Sequence, residues 1–105
     1  PHRAQSVLKF AVVVTEAAER DISAAAIRYE GEAAGLGRGF LDAIGVALGR
    51  IEDNPHQFPV VHRDKRRALL KRFPYGLYFR VEATSVVVVG CFHGHRNPRA
   101  WESRR

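Results

Sequence analysis

The residues of this chain that could do chemistry gather near its end. An apolar run from Val86 to Phe92, broken only by Gly90, leads directly into His93, Gly94, His95, Arg96, Asn97, Pro98, Arg99, Ala100 and Trp101. Imidazoles titrate near neutrality and can take or give a proton, and guanidinium groups can stabilise a phosphate whose charge grows in a transition state. His93 and His95 are two residues apart and would share a face of a continuing strand. With Arg96 they form a candidate catalytic set for acid-base chemistry at a phosphate, one imidazole as base and the other as acid. Arg72, Arg80 and Arg96 would clamp the phosphate. The structural alternative is that strand-end histidines are ordinary hydrogen-bonded or surface groups.

Charge points to the same region. Residues 1–61 carry six Lys/Arg and eight Asp/Glu, a balance of −2, whereas residues 62–105 carry eleven and three, a balance of +8; together they give the +6 of the whole chain. Such a basic half attracts nucleic acid or an acidic protein and accelerates encounter, without saying which. A solvated, soluble surface is the plainer reading. Arg67, Lys71, Arg72, Arg80, Arg96 and Arg99 are the candidate target or phosphate contacts.

At 105 residues and 46% hydrophobic content, one domain over 1–105 with one modest core is expected. The apolar runs at Val12–Val14 and Val86–Val89 fall far short of the roughly 20 residues of a membrane span, so no membrane association is expected. No leader pattern is visible at the start, and Pro1 with no methionine anywhere reads as a trimmed beginning. The single cysteine, Cys91, cannot form an internal disulfide and sits in the apolar run, favouring a reducing cytoplasm. His56 and His62 are six residues apart with no cysteine or second pair nearby, which does not match a metal site. Neither a metal nor a cofactor is expected. No glycine-rich phosphate loop, nucleophile elbow or carboxylate pair offers another enzyme class.

The elements that must position these residues follow from periodicity. Val7 to Val14 reads as a buried strand. Thr15 is placed to cap a helix running to about Glu30, with Glu16 and Glu19 at its positive end. Ala18, Ile22, Ala25, Ala26 and Tyr29 form its apolar face. Gly31 to Gly37 reads as a turn, and Phe40, Leu41, Ile44, Leu48 and Ile51 as a second helix ended by Asn54-Pro55. Gly45 and Gly49 share a face of that helix, which predicts close packing there or a smooth partner groove. Asn54 to Asp64 reads as a loop and Arg66 to Phe73 as the second strand. Pro74-Tyr75-Gly76 is expected to turn into a third strand in which Leu77, Phe79 and Val81 alternate with Tyr78 and Arg80. After a turn at Glu82 to Ser85, Val86 to Phe92 is apolar on both faces and reads as an internal strand. The pattern predicts an α+β domain of order β-α-α-β-β-β, a helical hairpin packed on a mostly antiparallel sheet.

Several segments in this order resemble one family: Val-Val-Thr-Glu-Ala-Ala-Glu-Arg-Asp-Ile at 13–22, Gly-Leu-Gly-Arg-Gly-Phe at 35–40, Asn-Pro at 54–55, Arg-Phe-Pro-Tyr at 72–75 and Phe-His-Gly-His-Arg-Asn-Pro at 92–98. Together they resemble the RelE/ParE superfamily of toxins from type II toxin-antitoxin systems, over nearly the whole chain. The resemblance implies the RelE/ParE toxin fold and growth inhibition. It also implies a cognate antitoxin whose acidic helical C-terminal segment wraps the toxin in a hetero-oligomer. ParE-like members poison DNA gyrase and are associated with plasmid stabilisation; RelE-like members are ribosome-dependent mRNA endonucleases. In the nucleases a tyrosine at the start of the third strand is followed by a catalytic arginine, but here Tyr75 is followed by Gly76. Their second arginine, in a Gly-Lys-Arg segment, matches Gly94, His95 and Arg96. Their C-terminal tyrosine has no counterpart here, Trp101 being the nearest aromatic. These departures favour the ParE-like reading, with gyrase as target. An mRNA endonuclease, or a non-toxic partner or nucleic-acid-binding module, are the alternatives.

Overall fold

The computed structural model describes residues 9–94 and residue 104. The chain runs β1 (Ala11–Val14), α1 (Glu16–Glu32), α2 (Leu36–Asp53), a 3-10 turn (Pro55–Gln57), β2 (Val60–His62), β3 (Lys65–Leu69), β4 (Tyr75–Glu82) and β5 (Ser85–His93). The strands form one five-stranded sheet in the order β1-β5-β4-β3-β2. Only β1 and β5 pair in parallel; the three other pairs are antiparallel. As its two-sided apolar pattern predicts, β5 is internal, with β1 on one side and β4 on the other.

α1 starts where Thr15 Oγ1 accepts from the Ala18 amide at 3.1 Å, with Glu16 and Glu19 in the first turn. Three of its four buried positions, Ala18, Ala25 and Ala26, are alanines, so α2 can pack closely beside it. The contact closes at Gly37: a Cβ there would lie 2.7 Å from the Ala26 carbonyl oxygen. α2 buries Phe40, Ile44, Ala47 and Ile51 against one face of the sheet. Phe40, Leu77, Phe79, Val86 and Val88 are fully buried there, each contributing about 1.5–3 kcal/mol by leaving water.

Five expectations from the sequence are corrected. The first strand begins at Ala11, because the Phe10 amide turns aside to the Glu52 carbonyl at the end of α2, while Val7 and Leu8 lie outside the described residues. The loop expected over 54–64 contains β2, a three-residue strand whose Val60 pairs with Arg66; Pro55 and Pro59 just before it hide it. β3 stops at Leu69 rather than Phe73, since the Leu70 amide bonds the Tyr75 carbonyl at 2.8 Å and Arg72 takes a left-handed φ of 71°. Tyr75 and Gly76 consequently belong to β4, not to a turn. Finally, Gly45 and Gly49 are not packing glycines: a Cβ on either would meet nothing within 4 Å.

Candidate functional site

The sheet has two unlike faces. α1 and α2 cover one, while the second carries a smaller apolar cluster of Tyr78 and Val89, flanked by Val61, Val87 and Phe92. Residues directly opposite in an antiparallel pair share a face. Arg67 pairs with Tyr78, and Arg80 with Val87, so both cations stand on the second face. Extending the β3–β4 register by one residue sets Lys65 opposite Arg80.

Each cation on this face is partly committed. Lys65 is 7% exposed and its Nζ bonds Asp64 Oδ1 at 3.0 Å. That hydrogen bond, more than any other influence, holds the Asp64 carboxyl below the usual range. Arg80 Nε reaches Glu82 Oε2 at 2.5 Å. The stem of Arg67 lies across Gly76, where a Cβ would come within 3.1 Å of Arg67 Cγ. Among the described residues, buried Arg67 Nε and Arg80 Nη1 find no hydrogen-bond acceptor. Like charges set opposite or diagonal on a sheet cost stability, so packing gives no reason for placing three cations here. Their chemistry suits an anionic partner. His62, opposite Lys65 in the register, lies at the outer edge and accepts from Arg63 Nε at 3.2 Å.

A bulge decides where His93 goes. Tyr78 pairs with Gly90 and Phe79 with Val88, leaving Val89 as an extra residue in β5. Without it, the period-two alternation would put Val87, Val89, Cys91 and His93 on one face; with it, Cys91 and His93 turn to the helix side. His93 pairs with Tyr75 and packs on it edge to face, ring centroids 5.5 Å apart. The structure therefore does not bring His93 together with Arg67 and Arg80. His95, Arg96 and Arg99 lie outside the described residues.

On the helix side, His93 and Tyr75 line a polar cavity of about 300 Å³ with Arg28, Tyr29 and Glu32 from the end of α1. Arg28 Nη2 donates to the Tyr75 hydroxyl. Burial, then the neighbouring Tyr75, raises the pKa of Tyr29. Sequence reading missed this group because its members come from three elements. The available signal was Arg28 and Glu32 four residues apart on one helix face.

The remaining predicted contacts, Lys71 and Arg72, sit elsewhere. They rim a mostly apolar groove of about 310 Å³ between α2 and the loop after β3, lined by Ala43, Val46, Ala47, Leu69 and Leu70, with Arg50 also at its rim. Val46 and Leu69 are 57% and 52% exposed, an unusual apolar pair to leave in water. No group of three or more potential metal ligands occurs among the described residues, and none of their helices is long and apolar enough to cross a membrane.

Neither a protein-family model nor a curated protein sequence matches the chain. Solved structures do. A chain of the chromosomal ParDE TA system from P. aeruginosa superposes with a TM-score of 0.72 at 17% identity, covering 80% of this chain and 95% of that one. A chain of the toxin-antitoxin complex RelBE2 from Mycobacterium tuberculosis gives a TM-score of 0.58 at 20% identity, covering 83% and 93%. A hairpin of two helices on a mixed five-stranded sheet, matched over nearly the full length of both neighbours, makes this chain a bearer of the RelE/ParE toxin fold.

Proposed function

We propose that this chain is the toxin of a type II toxin-antitoxin system, arresting growth through DNA gyrase in the cytoplasm and neutralised by a cognate antitoxin. The observation that carries the toxin reading is the fold, since both neighbours come from toxin-antitoxin systems. The antitoxin reading draws on the exposed apolar groove rimmed by Arg50, Lys71 and Arg72, which suits an acidic amphipathic helix. The preference for gyrase over RNA cleavage rests on chemistry. Gly76 stands where the nucleases carry an arginine, and His93 faces away from Arg67 and Arg80. Purified protein incubated with gyrase and supercoiled plasmid should inhibit the enzyme or trap a cleavage complex. Neither effect at concentrations that arrest growth would remove gyrase as the target. Harmless induction without antitoxin would remove the toxin reading itself.

One observation favours a second reading. Lys65, Arg67 and Arg80 on the helix-free face, two of them with buried unpartnered nitrogens, suit a phosphodiester backbone and thus a ribosome-dependent mRNA endonuclease. Primer extension on translated message would then show codon-linked cuts that disappear in Arg67→Ala/Arg80→Ala.

A further inference from the structure

The cavity at the end of α1 is separate from both the cationic sheet face and the apolar groove, and its lining mixes charges in a way that selects among ligands. Arg28 and Glu32 stand one helical turn apart, with Cβ atoms about 5–6 Å from each other. They would ordinarily pair. Here Arg28 turns instead to the Tyr75 hydroxyl, leaving the Glu32 carboxylate beside it in the same cavity. Tyr75 is 7% exposed and its ring belongs to a cluster with Tyr29, Phe40 and Phe73, so phenylalanine would fill the core equally well. Its hydroxyl serves the cavity.

A simple anion would meet Glu32, and a simple cation would meet Arg28. A ligand that satisfies both must present acceptors and donors on neighbouring edges, and the surrounding Tyr29, Tyr75 and His93 rings favour a flat one. Guanine has this pattern: O6 and N7 accept from a guanidinium, while N1–H and the N2 amino group can donate to a carboxylate. Arg28 spends one N–H on Tyr75 and keeps four of the five that a guanidinium carries. The volume of about 300 Å³ accommodates one nucleobase.

We propose that Arg28, Glu32, Tyr29, Tyr75 and His93 form a binding pocket for a guanine base, with Arg28 on O6/N7 and Glu32 on N1/N2. This site is independent of the choice between gyrase and message as target. Guanosine is the appropriate probe, because it lacks the phosphate that would draw a nucleotide to the cationic sheet face.

Titration of the full-length protein followed by amide and imidazole NMR should give saturable shifts at His93 and Gly94 with guanosine. Inosine, which lacks the N2 amino group, should bind about tenfold to a hundredfold more weakly, the effect of losing one hydrogen bond to a charged acceptor. Adenosine should give no saturable shift. Glu32→Gln should shrink the difference between guanosine and inosine, and Arg28→Gln should abolish binding of both. Both side chains are on the exposed side of α1, so the folded state of each variant can be verified from the same spectra. No saturable shift with guanosine, equal shifts with all three nucleosides, or a guanosine response unchanged in Glu32→Gln would overturn the assignment.

Discussion

The Glu30 carboxylate, in the last turn of α1, accepts from the backbone amide of Gly37 at 2.9 Å in the first turn of α2. It also holds the Gly35 amide at 2.9 Å. Gly35 has no side chain with which to cap α2 and takes a left-handed φ of 86°, so Glu30 supplies the missing acceptor from the neighbouring helix. These two amide bonds, Gly35 first and then Gly37, hold the Glu30 carboxyl below its ordinary pKa.

A depressed carboxylate stabilises the folded state above its unfolded pKa, and that contribution fades as pH falls through the folded value. Thermal unfolding should therefore show wild type more stable than Glu30→Gln at neutral pH, with the gap closing in acid below the usual carboxylate range. Carboxyl NMR should place the Glu30 midpoint on the acidic side of the other exposed glutamates. A constant gap across that range would show that the contribution is not electrostatic.

The glycines of α2 separate by what surrounds them. Gly37→Ala forces a Cβ to 2.7 Å from a backbone oxygen and 3.0 Å from Glu30 Cβ, so the hairpin must open, at a cost of about 1–3 kcal/mol. Gly45→Ala and Gly49→Ala enter open space in a helix interior and should each gain about 0.5–1 kcal/mol. Urea denaturation distinguishes the signs. Destabilisation by Gly45→Ala would reveal a contact absent from this packing.

Periodicity made the element order legible: small residues recurring on α1, larger ones on α2, and alternation along β4 all state which face is inward. β2 is not legible because a three-residue strand just after two prolines has too little pattern, and the end of β3 is not legible because nothing in its sequence marks the left-handed Arg72. The site was less legible for a sharper reason. One extra residue, Val89, reverses every side chain after it, and neither the valine run nor Gly90 reveals the shift. A reading without the bulge puts His93 on the face of Arg80; the folded strand puts it beside Tyr75. Lys65, Arg66 and Arg67 are consecutive cations, so which of them share a face with Arg80 depends on the pairing with β4.

The cations on the helix-free face should act through charge, and salt dependence reads that directly. If single-stranded RNA contacts Arg67 and Arg80, the log–log salt slope for poly(U) binding should flatten by about 0.7 for each residue in Arg67→Gln and Arg80→Gln. Like charges cluster there, so stability should hold or rise slightly in both variants. An unchanged slope would place polyanion contact elsewhere, the groove rim of Lys71 and Arg72 being the next region to vary.

Among the described residues no strand neighbours the outer edge of β5 beyond Val88, because β1 ends as the Thr15 amide bonds the Val88 carbonyl at 3.1 Å. Two side chains complete the edge. Asp21 Oδ2 accepts from the Cys91 amide at 3.1 Å, and Arg104 Nη1 donates to the Val89 carbonyl at 2.8 Å while pairing with Asp21 at 3.0 Å. Arg104 also lies 4.9 Å over the Phe92 ring. Asp21→Ala removes the acceptor for a strand amide and for a partly buried guanidinium together, which should cost about 1–3 kcal/mol in urea unfolding. The same arrangement protects Cys91, whose thiol is pushed up to about 12, chiefly by burial and secondarily by the Asp21 charge. Because that folded value lies above the free thiol's 9.0, the associated stability is full below 9.0 and declines as pH rises toward about 12. A disulfide reagent at pH 8 should modify wild-type Cys91 only through the opened state, and Asp21→Ala should accelerate the reaction about tenfold for each 1.4 kcal/mol of stability it loses. Rapid labelling of the wild type at a rate insensitive to Asp21 would mean that the β5 edge is not closed in this way.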